Sequence, residues 1–486
     1  MSLTENNERG HSAGRSWVTA LWCLAAFASL AVVLAAFLVG KWTWGLMDDY
    51  KYIAWAGTFW DKVAGYMHGT LGNGKFCPVY VVHSVLFYGL FGKNAGLFYI
   101  FRWAEVAAAL GVWGWLAAMV TRRTVAVPLL VCIALSFGRV YDAFFYLSTP
   151  EIIGVFFSGC AGIFLFRAFE PAMARRGEVV RSQLIIGAIC LILACGSREM
   201  FLAVAFAWGL SLVVVGLLRP RRISLWASGL VFLTLSVVYG FLLKLFVSKG
   251  YTSAYNITDF SKMISNILIW VRQDVVPHIP WIVGAALCML VRSSGTLAMM
   301  RVWALVLGVV SYLVYLGLLL PWETVGYYST PLGVFFAFVV TVLVAERLEK
   351  ISVRMLSLLA MAAVMLNLYV GGTEIYAAMT YQQDTDSLSR WMVNNVQFEY
   401  EVGSGSTVRI NASEPSDTIP MGVNLVYGKS YKKFIFSPRV REVLSDQQTR
   451  YYLYGPNWGD QDLSRLGRIW YPVFQSKNWV MFRRLY

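Results

Sequence analysis

The chain has 486 residues, of which 58% are hydrophobic, 15% aromatic and only 14% charged, with a formal net charge of +14. Soluble domains carry roughly a quarter charged residues, so this composition excludes an ordinary soluble protein and requires apolar surface that meets lipid. The positive charge sits at the ends of apolar runs and forms no basic stripe with interleaved aromatics, which argues against a nucleic-acid partner. Seven cysteines lie mostly inside apolar runs, without a CxxC pair or a His/Cys cluster at metal-ligand spacing, so neither a disulfide framework nor a zinc site is indicated.

A polar start, residues 1–16, precedes an apolar run at 17–40 that is too long for a signal-peptide core and lacks a cleavage site. It is expected to stay as the first helix. Ten further runs of spanning character follow at 97–120, 125–143, 150–166, 182–196, 200–218, 224–246, 277–291, 301–320, 330–345 and 355–371. The connections "TRRT", "RAFEPAMARRGEVVR", "RPRR", "VRSSGTLAMMR" and "ERLEKISVR", with Arg9 and Arg15, hold 16 of the 41 basic residues. That bias places them and the N-terminus in the cytoplasm. The run at 78–91 is only fourteen residues long. Counting it as a crossing reverses every later loop, so it is expected to be interfacial or re-entrant, as is the Trp- and Lys-bearing stretch "AWAGTFWDKVAGYMHG" before it. The expected fold is therefore an α-helical polytopic membrane protein of about eleven helices over 17–371, with a long first external loop at 41–96. Residues 372–486, with 13 basic and 11 acidic side chains and short alternating stretches, are expected to form a small extracytoplasmic α/β domain.

Once the cytoplasmic loops are set aside, the remaining charges gather at the opposite helix ends. They are Asp48 and Asp49 after the first span, Lys75 in the long loop, Arg102 at the second span, Arg139 and Asp142 after the third, Glu151 at the start of the fourth, Arg198 with Glu199 before the sixth, Lys244 and Lys249 after the seventh, and Glu323 after the ninth. Charge in the apolar zone is costly and marks a site with partners. Each residue has a plain alternative: a solvated loop for the Asp pair, a lipid-phosphate anchor for Lys75 and the arginines, a helix cap for Glu151. His83 reads as a packed side chain. The shared face is what sets the group apart from its members.

The stretches "MDDYKY", "GNGKFCPVYVVHSVLFYGLFG", "FYIFRWAEVAAALGVWGWLAAMVTRR", "YDAFFYLSTPEIIGVFF", "ACGSREMFLAV" and "YYSTPLGVFFAF", in this order, resemble the plan of GT-C membrane glycosyltransferases. These include protein O-mannosyltransferases, lipid A aminoarabinose transferases and bacterial O-antigen glucosyltransferases. The resemblance covers roughly 17–371 and is carried by pattern. It implies transfer of a sugar from a polyprenyl-phosphate donor to an extracytoplasmic glycan, lipid or protein acceptor, with inversion, in a bacterial inner membrane. On that resemblance Asp48 or Asp49 is the catalytic base, and Arg102, Arg198 and Lys75 bind the donor phosphate. Glu151, Arg139, Glu199 and Tyr327 organise the site. The resemblance fixes no cofactor, and a divalent cation (Mg or Mn), if used, would sit on Asp48 or Asp49. Lys75 stands where the pattern favours Arg, and "TVGYYSTP" lacks the Arg that often precedes that Tyr and Pro.

The chemistry stands without the family. A sugar on a lipid phosphate already has a good leaving group, so a base for the acceptor hydroxyl and cations for the departing phosphate suffice. Two rivals remain. A polymerase or ligase of envelope glycans leans on Arg and His in a large later loop, whereas 247–276 has Lys249, Lys262 and Arg272 and no His. A transporter calls for Gly- or Pro-broken helices at matching places in two halves, and no such pairing is present.

Overall fold

The computed structural model describes residues 3–40, 57–72, 75–92, 94–147, 149–174, 177–218, 223–246, 260–289, 296–320, 326–348, 351–402, 409–412, 434–436, 449–454, 470–476 and 479–484. Fifteen α-helices precede a five-stranded sheet among these residues. Eight helical segments are long and apolar enough to cross a membrane, and a ninth is present if one sharply bent pair is a single span. The protein is an integral, polytopic membrane protein.

The long helices are α1 (Leu3–Val39), α4 (Ala95–Thr121), α7 (Glu151–Met173), α9 (Leu202–Leu218), α10 (Ile223–Phe246), α13 (Thr296–Leu319), α14 (Thr330–Leu348) and α15 (Val353–Val402). Between α1 and α4 lie two short helices, α2 (Phe59–Gly72) and α3 (Pro78–Phe91), where the sequence implied interfacial segments. The expected span at 125–143 is α5 (Ala126–Leu135) and α6 (Gly138–Phe145), which meet at 88°. At the break the Ser136 hydroxyl donates to the Ile133 carbonyl at 2.6 Å, satisfying a helix-end acceptor that the next turn leaves open. Two other expected spans are short helices, of 17 and 11 residues. They are α8 (Arg181–Ser197) and α12 (Ile279–Met289), the latter preceded by α11 (Phe260–Trp270) and a π-helical turn at Val271–Val275.

Helices in lipid gain little from burying apolar groups against one another, so close approach and polar ties matter more. Crossing of α9 over α10 is a glycine contact: a Cβ on Gly209 would lie 2.8 Å from the Gly229 carbonyl, and one on Gly229 would lie 2.6 Å from that of Gly209. Asn367, fully buried in α15, donates to Ser29 Oγ on α1 at 2.9 Å and to the Cys132 carbonyl on α5 at 3.0 Å. Tyr141 on α6 donates back to the Asn367 carbonyl at 3.0 Å, and Trp113 on α4 donates to the Val155 carbonyl on α7 at 2.9 Å.

Helix α15 runs unbroken for 50 residues, through the expected domain boundary at 371/372. At about 1.5 Å per residue it is longer than twice the hydrocarbon core, so its far end stands clear of the bilayer. Strands β1 (Arg409–Ala412), β2 (Phe434–Phe436), β3 (Thr449–Tyr454), β4 (Trp470–Gln475) and β5 (Val480–Arg484) pack against that end in the order β2-β1-β3-β5-β4. β1 is parallel to both its neighbours, and β5 is antiparallel to β3 and β4. Leu388 and Met392 of the helix share a buried cluster with Tyr451, Leu453, Trp479 and Met481. Trp479 Nε1 donates to Thr385 Oγ1 at 3.2 Å.

Candidate active site

Four of the residues singled out from the sequence meet at one place. Glu151 is the first residue of α7 and is 1% exposed, and Arg198, 7% exposed, links α8 to the short 3-10 turn Glu199–Phe201 that opens α9. Because α8 runs back along α7, the end of one meets the start of the other. Arg198 Nε lies 3.5 Å from Glu151 Oε1 and 3.8 Å from Glu199 Oε1. The guanidinium lies over the ring of Tyr328 at 4.7 Å, a placement that favours cation–π attraction. Lys75 lies within electrostatic reach of Glu151, and the next residue, Phe76, donates its backbone N–H to Glu199 Oε2 at 3.4 Å.

Packing fixes this arrangement. The ring of Phe201 lies directly on the Cα of Gly154, one turn into α7, so closely that any Cβ there would overlap it. Only glycine lets the 198–201 segment settle against the start of α7. The centre is also short of hydrogen bonds: both Glu151 carboxylate oxygens, Arg198 Nε and the hydroxyl of buried Tyr315 have no hydrogen-bond partner among the described residues. Buried polar atoms are nearly always satisfied by protein, water or ligand. Several unsatisfied ones at one spot mark a place that a polar molecule can occupy. Cys77, beside this centre, is no nucleophile at neutral pH, since burial, with the Glu199 charge adding to it, pushes its thiol up to about 11.

Arg102 pairs elsewhere, with Leu147 and Glu105, and is not at a helix N-terminus. The N-terminus of α4 is capped by Asn94, whose side chain accepts from the Leu97 N–H at 3.3 Å. Arg102 lies in the third turn and is buried, donating through Nη2 to the Leu147 carbonyl at 2.5 Å and pairing through Nη1 with Glu105 at 3.1 Å. Glu105 in turn meets His83 Nε2 at 2.5 Å. These contacts tie α4 to the turn before Glu151.

Arg139 belongs to another group. It lies 4.0 Å from Asp142 and within electrostatic reach of Asp274 and Glu374, while its carbonyl accepts from Thr330 Oγ1 at 2.8 Å. Asp274, in the π-helical turn, is buried, and desolvation pushes its carboxyl up to about 6 against the pull of Arg139. His278 is packed, with Nδ1 2.6 Å from the Asp274 carbonyl and its ring stacked 3.5 Å from that of Phe137.

Asp48, Asp49 and the side chain of Tyr327 lie outside the described residues. Among the described residues no three His, Cys, Asp or Glu side chains converge as a metal site. Sequence reasoning missed Glu105, Tyr315 and Tyr328. Glu105 was visible as the i+3 partner of Arg102, but Tyr315, inside an apolar run, carries no local signal.

The chain matches no family model and no curated protein. It is similar to a solved structure described as ArnT from Cupriavidus metallidurans bound to undecaprenyl phosphate, at 12% identity and a TM-score of 0.46, over 96% of this chain and 98% of that one.

Proposed function

We propose that this protein is a membrane glycosyltransferase of the GT-C type that moves a sugar from a polyprenyl-phosphate donor to an extracytoplasmic glycan, lipid or protein acceptor. The observation that carries the reading is the convergence of Lys75, Arg198, Glu151 and Glu199, the buried pair Arg198 and Glu151 bearing hydrogen-bonding atoms that no described residue satisfies. Two cations at one end of a helical bundle suit a phosphate, Arg198 through its fork of donors and Lys75 as a point charge. In the reaction one of Asp48 and Asp49 takes the proton of the acceptor hydroxyl as that oxygen bonds to the anomeric carbon. The bond from that carbon to the phosphate oxygen breaks with its electron pair, and Arg198 and Lys75 meet the charge that appears there. A single displacement of this kind inverts the anomeric centre. Any divalent cation in this scheme belongs to Asp48 or Asp49. The site faces the periplasm of a bacterial inner membrane, on the side opposite the N-terminus.

Membranes carrying the wild-type protein, Asp48→Asn, Asp49→Asn or Arg198→Ala are to be incubated with a panel of polyprenyl-phosphate sugars while donor consumption is followed. Loss of a general base lowers the rate about 10² to 10⁴-fold, so at least one Asn variant is expected to fall that far, and Arg198→Ala to lower turnover at saturating donor. Near-normal turnover in both Asn variants rejects the base assignment. Substrate movement into vesicles without donor consumption replaces the enzyme with a transporter.

A further inference from the structure

One short turn links the Arg198 centre to a second polar group. In the 3-10 turn Gly326–Ser329, the ring of Tyr328 faces the Arg198 guanidinium, and α14 then begins with Thr330, whose Oγ1 donates to the Arg139 carbonyl at 2.8 Å. Three carboxylates from three elements gather around Arg139. Asp142 is 4.0 Å away on α6, Glu374 comes from α15, and Asp274 comes from the π-helical turn Val271–Val275. Glu374 reaches so close to the first residue of α6 that a Cβ on Gly138 would stand 2.6 Å from its Oε1, so glycine there admits the carboxylate. His278 pins the π turn to the bend between α5 and α6, with Nε2 3.1 Å from the Ser136 carbonyl and Nδ1 2.6 Å from that of Asp274.

The chemistry of this group is one-sided. Among the described residues Arg139 is the cation that the three carboxylates meet, and no side chain or backbone N–H donates a hydrogen bond to any of them. Asp274 is the decisive member: it is only 8% exposed, and a polar group so buried is nearly always met by a partner. The described carboxylates are not spaced to chelate one metal ion. Their surplus negative charge repels a phosphate or a carboxylate ligand. A molecule carrying several hydroxyls supplies the missing donors, since an O–H bonded to a carboxylate is a short, strong contact.

We propose that Asp274, Asp142 and Glu374 form an acceptor subsite that holds the ring hydroxyls of a sugar without negative charge, so that the acceptor is a neutral or amine-bearing glycan. This rests on the transferase reading above and narrows its acceptor. The position suits the task. Tyr328 and Thr330 are two residues apart, so a sugar held at Arg139 lies beside the Arg198 centre, and transfer requires the two reactants side by side. Arg139 keeps the three carboxylates together in the empty state, and the sugar's hydroxyls complete their hydrogen bonding.

The test uses purified full-length protein in a detergent without a sugar headgroup and three soluble probes: maltotriose, a glucosamine trimer and trigalacturonate. Binding is followed by saturation-transfer NMR. The neutral and amine-bearing trimers are expected to bind, and trigalacturonate to give no signal at the same concentration. Asp274→Asn and Glu374→Gln are each expected to weaken maltotriose about fivefold or more, as trading a charge-assisted hydrogen bond for a neutral one implies. Asp274→Asn removes a buried charge while keeping shape, so weaker binding with an undiminished unfolding temperature is not a folding defect, and Glu374→Gln repeats the test from another element. Arg198→Ala is expected to leave maltotriose unchanged. Binding of no trimer, equal binding of trigalacturonate, or indifference of maltotriose to both carboxylate variants overturns the proposal. An equal loss in Arg198→Ala places the sugar at the Arg198 centre and overturns it too. Trimer binding that depends on Asp274, together with no consumption of any polyprenyl-phosphate sugar, strikes the transferase reading and leaves a sugar-binding site.

Discussion

Replacing Glu151 with Gln removes one charge from the buried centre and keeps its shape. At 3.5 Å from Arg198 Nε, the lost attraction is about 5 kcal/mol by Coulomb's law with an effective dielectric of about 20, while the pair with Glu199 at 3.8 Å retains about 4 kcal/mol. Relief from burying a carboxylate offsets part of the loss. Removing one partner of a buried pair usually costs about 3–5 kcal/mol, and with Glu199 still in place a net loss of about 3 kcal/mol is expected. The unliganded variant should therefore unfold at a temperature several degrees lower. An anionic ligand reverses the sign. In the wild type a phosphate must share Arg198 with Glu151, whereas in Glu151→Gln the guanidinium is open to it, so a prenyl phosphate should bind at least several-fold more tightly and raise the unfolding temperature more than in wild type. Thermal unfolding in detergent, with and without farnesyl phosphate, reads both effects. A variant that is destabilised yet gains nothing in phosphate affinity would show that Glu151 does not compete with the anion, and Arg198 would lose its place as the phosphate ligand.

Two further outcomes follow from the packing and the buried acids. Gly154→Ala puts a methyl into the Phe201 ring; overpacking of this kind costs about 1–3 kcal/mol, and Phe201→Leu in the same chain should recover much of it, a coupling that a double-mutant cycle on thermal stability measures. Asp274, pushed up to about 6, holds its proton more tightly when folded. That contribution is fully present below about pH 4 and is lost as pH rises through 6, a difference of about 3 kcal/mol. Asp274→Asn should thus be more stable than wild type at pH 7.5 and lose that advantage at pH 4.5; equal unfolding temperatures at pH 7.5 would show that the carboxyl carries no such cost.

Hydropathy and charge made the helical class, most spans and the meeting of Lys75, Glu151, Arg198 and Glu199 legible, because a residue at a helix end is confined to one face of the membrane. What lies within a span is not so marked. The break between α5 and α6 follows an apolar run with no proline at the bend, and the tie of Arg102 to the Leu147 carbonyl joins residues 45 positions apart. Helix α15 escaped in its second half for a physical reason. Gln382, Thr385 and Ser389 are buried there on one face, so the side packed against protein is polar and a hydropathy window reads loop where the helix continues. Gln382 donates to the hydroxyl of Tyr99 on α4 at 2.9 Å.

An unbroken α15 also gives the chain a screw-like constraint. Asn367 locks one stretch of the rod into the bundle, and Thr385, Leu388 and Met392 carry the sheet farther along. Each residue added between those two grips turns the sheet by about 100° and lifts it by about 1.5 Å. One insertion would swing the sheet away from its present azimuth and pull Gln382 off Tyr99. Seven, nearly two whole turns, would bring it back to within about 20° of its heading, roughly 10 Å higher. Relatives in which the sheet stands higher or lower over the bundle should therefore differ in this stretch by nearly whole numbers of turns, about seven, eleven or eighteen residues, with lengths that leave the sheet on the opposite azimuth absent.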